Sequence, residues 1–279
     1  MSQNIFKNSK GVTLIELLIA LVLSAILTGG IYRTFIHQQK SYTTREQVAD
    51  MQQNVRVAIN RMMREIRMAG FGNIQAVLPV TFPGIGRTYP NVVNSDAPVA
   101  GALTIVSAIG GTAILTAQPG GPLASNQIQV NTLADFDTNN KRYLSIGGLE
   151  SHFITAIDGA NKILTLNTDV GNVYQIGGKT PVFVYAIRAI SYAIIPDASG
   201  SPILKRDENT GGGFQPMANN IESIEFRNPD GSIPLNPSSA SMQVTVTART
   251  DRPDPELKDG DGYRRRQFTS IILQRNRGL

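Results

Sequence analysis

The sequence predicts an α+β chain: one long N-terminal helix followed by an antiparallel β-rich domain. Three observations predict it. No proline interrupts residues 12–69, where apolar residues first run almost continuously and then recur every three or four positions, the spacing of a helix face. Beyond residue 101, short β-branched and apolar runs alternate with turn residues, the pattern of strands and hairpins. With no cysteine in 279 residues, the fold holds by packing alone, without disulfides or a thiolate metal site. The formal net charge of +5 comes largely from arginines on the predicted helix and near the C-terminus, so it is a weak sign of an anionic partner.

The first element spans residues 12–32, in which Glu16 is the only formal charge. About 20 such residues suffice for a helix to cross a bilayer core. Lys7 and Lys10, with no acid before them, keep the N-terminus cytoplasmic and place everything after Arg33 outside the membrane. An ordinary export signal puts small residues at a cleavage site beyond the apolar region. Here Gly11 comes before it. A cut after Gly11 would remove a leader, residues 1–11, and leave the apolar helix, residues 12–32, as an anchor. Glu16, a lone acid in such a segment, is a functional candidate by default.

The helical pattern continues through Val48, Met51, Val55, Ile59, Met62 and Ile66, with arginines and acids on the other faces. A helix over 12–69 would be roughly 85 Å long. Gly29 and Gly30 form its weak point, each costing about 1 kcal/mol relative to alanine, and are the predicted site of helix flexibility. Gly70-Phe71-Gly72 supplies the stop. Residues 70–100, with four prolines, are expected as an extended connector with little regular structure. The β-rich domain, 101–279, follows, with strands expected over 103–109, 113–117, 127–133, 143–146, 152–157, 162–167, 182–195, 221–227, 242–249 and 267–273. Asp158-Gly159-Ala160-Asn161 has hairpin chemistry.

The order Lys10-Gly11-Val12, an apolar run and Glu16 resembles the class III signal of type IV pilins and type II secretion pseudopilins. The resemblance implies cleavage between Gly11 and Val12 by prepilin peptidase and N-methylation of Val12, where phenylalanine or methionine is more usual. It also implies an assembly contact made by Glu16. The whole chain is similar to the pilin lollipop, one long helix packed on an antiparallel sheet. Residues 190–194, 204–206, 217–226 and 264–276 resemble the PilW family of minor pilins. The pseudopilin GspJ is similar in plan but usually has a smaller globular part.

The implied function is that of a structural minor pilin in priming, assembly or tip capping of a type IV pilus. The alternatives are a type II secretion minor pseudopilin and a pilus-borne adhesin or DNA receptor. The implied partners are other minor pilins, the major pilin, prepilin peptidase, the inner-membrane assembly platform and the lipid bilayer. The expected location is the inner membrane, with the C-terminal domain periplasmic, and then the pilus fibre at the cell surface.

Little in the chain suits catalysis. The only histidines are His37 and His152, Asp135 and Asp137 sit in polar turns, and no Gly-rich phosphate loop appears, so no enzyme and no cofactor are expected. Asp254, Glu256, Asp259 and Asp261 form the one calcium-like cluster. Asp259 and Asp261 alternate as in an EF-hand loop, but its closing glutamate is absent, and a hydrophilic hairpin is the preferred reading. Arg264-Arg265-Arg266 with Tyr263 and Phe268 could suggest a nucleic-acid patch. Arginines alternate faces along a strand, so ion pairs are expected and nucleic acid is not.

Overall fold

The computed structural model describes residues 12–236, 239–254, 256–257 and 260–276. The chain is α+β, one long N-terminal apolar helix followed by an antiparallel β-rich domain, and it divides into two units, Met1–Ala49 and Asp50–Leu279.

Helix α1 runs Leu14–Arg67, unbroken through Gly29 and Gly30. In the first unit its apolar side chains, from Leu14 through Phe35, are exposed. In the second unit it buries Met51, Val55, Ala58, Met62 and Ile66, one stripe at spacings of three and four. The helix ends where Gly70 and Gly72 take positive φ, 82° and 99°. Gly72 is also sterically required. A Cβ there would lie 2.6 Å from the Ala108 Cβ, so only glycine lets the chain cross the sheet this closely.

The segment 70–100 is not the irregular connector expected. It contains 3-10 turns at Ile74–Val77 and Pro83–Ile85 and three short strands, β1 (Val80–Phe82), β2 (Arg87–Tyr89) and β3 (Val93–Ser95). Buried side chains hold it down. Phe82 and Tyr89 are in the core, the Tyr89 hydroxyl donates to Asn209 Oδ1 at 2.8 Å, and Arg87 Nη1 donates to Asp207 Oδ2 at 2.6 Å. A satisfied buried network of this kind fixes a segment whose strands are too short to show period-two patterning.

The two runs expected at 103–109 and 113–117 are one strand, β4 (Leu103–Ala117), whose glycines lie at register irregularities rather than at a turn. Then come β5 (Gln127–Val130), β6 (Tyr143–Ile146), β7 (Glu150–Asp158), β8 (Ile163–Leu166) and β9 (Phe183–Ile194). Each neighbour in the series β9, β6, β7, β8, β5, β4 is paired antiparallel, and β4 pairs back onto β9, so six strands close into a barrel. Its interior is apolar, with Leu115, Ile128, Leu144, Ile146, Ile154, Leu164, Leu166 and Val184 buried together. Closure leaves no free edge within the ring.

β9 belongs to two structures. Val184–Ala186 pair with β6 in the barrel, whereas Ser191–Ile194 pair with β10 (Ile203–Asp207), and β4 follows the opposite edge from Phe183 to Tyr192. At the fork, buried Arg188 donates to the carbonyls of Asp135 (2.7 Å) and Ile187 (3.1 Å), while Asn209 Nδ2 donates to the Ala189 carbonyl at 2.7 Å. The open sheet continues through β10 to β11 (Gln215–Asn219). A separate antiparallel sheet contains β12 (Ile221–Arg227), β13 (Ser241–Arg249) and β14 (Arg265–Leu273). Helix α1 reaches both sheets. Glu65 accepts from the Tyr192 hydroxyl and from Arg206 Nε at 3.0 Å, and Ser270 Oγ donates to Met63 Sδ at 3.4 Å.

Candidate functional site

The first site is the start of α1. Gly11 lies outside the described residues, and Val12 is exposed just ahead of the helix. Glu16 is engaged with its own chain. Its Oε2 accepts from the Thr13 backbone N–H and the Thr13 hydroxyl, both at 2.9 Å, and its own N–H donates to Thr13 Oγ1 at 3.3 Å. Thr13 is thus the N-cap and Glu16 the residue that reaches back, a reciprocal capping box that satisfies donors orphaned at a helix start. The motif Thr-x-x-Glu was visible in the sequence and would have identified it.

Along the same helix a Cβ on Gly29 or Gly30 would meet nothing within 4 Å, so neither glycine is required by packing in the single chain. One turn on, Thr34 Oγ1 donates to the Gly30 carbonyl at 3.0 Å, a back-bond of the kind that bends helices. Among the described residues one helix, α1, is long and apolar enough to cross a membrane.

In the β-rich unit, the acids predicted as a weak calcium site are occupied differently. Asp254 Oδ2 accepts from Arg264 Nε at 2.5 Å and its Oδ1 from the Glu256 N–H at 2.9 Å. The Asp261 carboxylate accepts two bonds from Arg265, at 2.5 and 2.8 Å, and Glu222 accepts two more, at 2.6 and 2.8 Å. Hydrogen bonds from Arg265 hold Asp261 well below the usual carboxylate range and Glu222 below it. Asp259 lies outside the described residues. Among the described residues no three His, Asp or Glu side chains gather as metal ligands. Arg264 and Arg265 are therefore committed to ion pairs within the chain.

His152 is buried, with Nδ1 2.8 Å from Thr168 Oγ1 and Nε2 3.3 Å from Glu150 Oε2. Glu150 is the organising group. It accepts from the Tyr174 hydroxyl at 2.6 Å and from the Gly171 N–H at 2.8 Å, pinning the loop after β8 to the start of β7. Burial pushes this carboxyl upward, but the hydrogen bonds from Tyr174, Gly171, Asn172 and His152 outweigh it and hold the group below its ordinary value. Asp137 caps its own turn, accepting from the N–H groups of Asn139 and Lys141.

The prokaryotic N-terminal methylation motif matches residues 6–32. No curated protein and no solved structure matches the chain. The segment thus carries the class III signal of type IV pilin-like and pseudopilin proteins, which supports a structural protein of that kind and fits a membrane anchor in the one apolar helix.

Proposed function

We propose that this chain is a structural minor pilin of the PilW kind, processed after Gly11, methylated at Val12 and built into a type IV pilus with other pilins. The observation that carries the reading is the methylation motif at 6–32, heading an exposed apolar helix that a β-rich unit follows. Gly29 and Gly30, which nothing packs against, give that helix room to adjust during assembly. The size of the section 101–178, whose strands β4 to β8 close a barrel with β9, favours the pilus over the secretion pseudopilin. Mass spectrometry of the chain purified from membranes is expected to find Val12 at the N-terminus, carrying a methyl group. A mature chain that retains residues 7–11 overturns the class III processing. Co-purification with other minor pilins, and its loss when they are deleted, separates the pilus from the secretion machinery.

A further inference from the structure

We infer that the free edge of β14 is a docking site for one extended strand of a different protein chain, uncharged along most of its length and carrying a carboxylate at the end that meets Arg266. This does not depend on the pilin reading. β14 pairs with β13 at all nine positions, Arg265 to Leu273, without a bulge, and lies at the end of its sheet. The direction of its backbone groups follows from the ladder. The Thr250 N–H donates to the Arg264 carbonyl and the Gln274 N–H to the Ala240 carbonyl, so the even-numbered residues of β14 face β13. The N–H and C=O groups of Gln267, Thr269, Ile271 and Leu273 therefore point away from it. Beyond them, the Arg275 N–H is already taken by the Arg67 carbonyl at the end of α1.

Sheet edges are ordinarily blunted by short length, proline, bulges or charge. The other edges here follow that rule. β3 has three residues, β11 is short and contains Pro216, and β12 carries Glu222, Glu225 and Arg227. β14 does not follow it. From Gln267 to Leu273 it has no charge, no proline and no glycine, and two of the outward-directed positions present exposed apolar side chains, Ile271 at 61% and Leu273 at 63%. Such an edge offers main-chain bonds for affinity and alternate side chains for selectivity, the two components of strand addition.

Charge selects the occupant. Arg265 is held by Glu222 and Asp261, whereas the Arg266 side chain is exposed and makes no hydrogen bond or ion pair among the described residues. A second copy paired parallel and in register sets Arg266 against Arg266, and like charges across a ladder destabilise it. A foreign strand with a terminal carboxylate relieves the charge instead.

The test uses the full chain in detergent micelles and two fluorescent probes, Thr–Val alternating peptides of about nine residues that end in glutamate or in lysine. The glutamate peptide is expected to bind, about tenfold more tightly than the lysine peptide, and to slow hydrogen exchange over 267–273. Ile271→Lys with Leu273→Lys should weaken it about tenfold. Arg266→Glu should reverse the preference between the probes, a gain that a misfolded variant cannot show. Failure of both peptides to bind, or a preference unchanged by Arg266→Glu, overturns the proposal. So does disulfide dimerisation of Thr269→Cys through β14, readable because the chain has no native cysteine, since it assigns the edge to a second copy.

Discussion

At the scale of single residues, Glu16 carries two possible duties that one substitution cannot separate. As a helix cap it accepts from the Thr13 N–H and hydroxyl, donors that the helix itself leaves unpaired. On the proposed processing and assembly, a Glu16 carboxylate enclosed between side-by-side helices would neutralise the α-amine of a neighbouring subunit, each charge removing the other's desolvation cost. Thr13→Val removes the cap hydroxyl and leaves the charge, whereas Glu16→Gln keeps much of the cap geometry and removes the charge. Glu16→Gln and Glu16→Ala are expected to reduce recruitment into the pilin complex while insertion and cleavage after Gly11 proceed, and Thr13→Val is expected to leave recruitment near normal. Crosslinking to partner pilins measures this, and equal losses from Thr13→Val and Glu16→Gln would reduce Glu16 to a cap. The acidic hairpin yields a second residue-scale expectation. Because Asp254 and Asp261 already face guanidinium groups, micromolar calcium should not raise the melting temperature, and a rise abolished by Asp261→Ala would contradict this.

At the scale of elements, Glu150 ties β7 to the loop that carries Tyr174. Its folded-state pKa lies below the ordinary value, so its contribution to stability is complete above the unfolded pKa of about 4.3 and is lost as pH falls through the folded value. Glu150→Gln should therefore destabilise at neutral pH by about 1–3 kcal/mol and flatten the loss of stability as pH falls below the unfolded pKa of about 4.3. Urea melts across that range check it, and parallel pH curves for the two proteins would assign the acid sensitivity elsewhere. The elements also show what the sequence disclosed. β6 and β12 were readable to the residue because their β-branched and apolar runs are flanked by turn residues. β10 was not, because Lys205, Arg206 and Asp207 look like a solvated loop until Glu65 and Arg87 on distant segments are seen to neutralise two of them. β11 was hidden by Pro216, and β4 was split in two by its glycines. Barrel closure joins residues far apart in sequence, such as Ala113 and Val184, and no local pattern encodes it. The class III signal is linear and so is legible in the sequence, and the Thr13 cap stands there as a Thr-x-x-Glu motif.

At the scale of the whole molecule, the strand that closes the barrel also runs through the centre of the open sheet, so the β-rich unit should unfold as one body. Leu144→Ala in the barrel and Ile190→Ala on the shared strand each remove a fully packed side chain and should each cost about 2–5 kcal/mol. Both should lower the same denaturation midpoint, whether it is followed at the barrel or at the open sheet. A barrel that melts at its own midpoint in Leu144→Ala, leaving the rest folded, would show that β9 does not couple them. The same reasoning fixes where a soluble fragment can begin. Met51, Val55, Ala58, Met62 and Ile66 belong to this unit's core, and Glu65 receives the buried Tyr192 hydroxyl and Arg206, so the last turns of α1 are structural parts of the β-rich unit. Burial and the charge of Glu65 push the Tyr192 hydroxyl well above its usual range, so it remains a donor and is orphaned if Glu65 is removed. A fragment starting at residue 50 should therefore unfold in one cooperative step. A fragment starting at residue 73 loses the five core side chains of α1, Ala69 and the Glu65 acceptor together, more than the ordinary stability of a domain can absorb, and should be aggregated or molten. A residue 73 fragment that retains a sharp transition and binds no hydrophobic dye would show that the open sheet holds together without its helix.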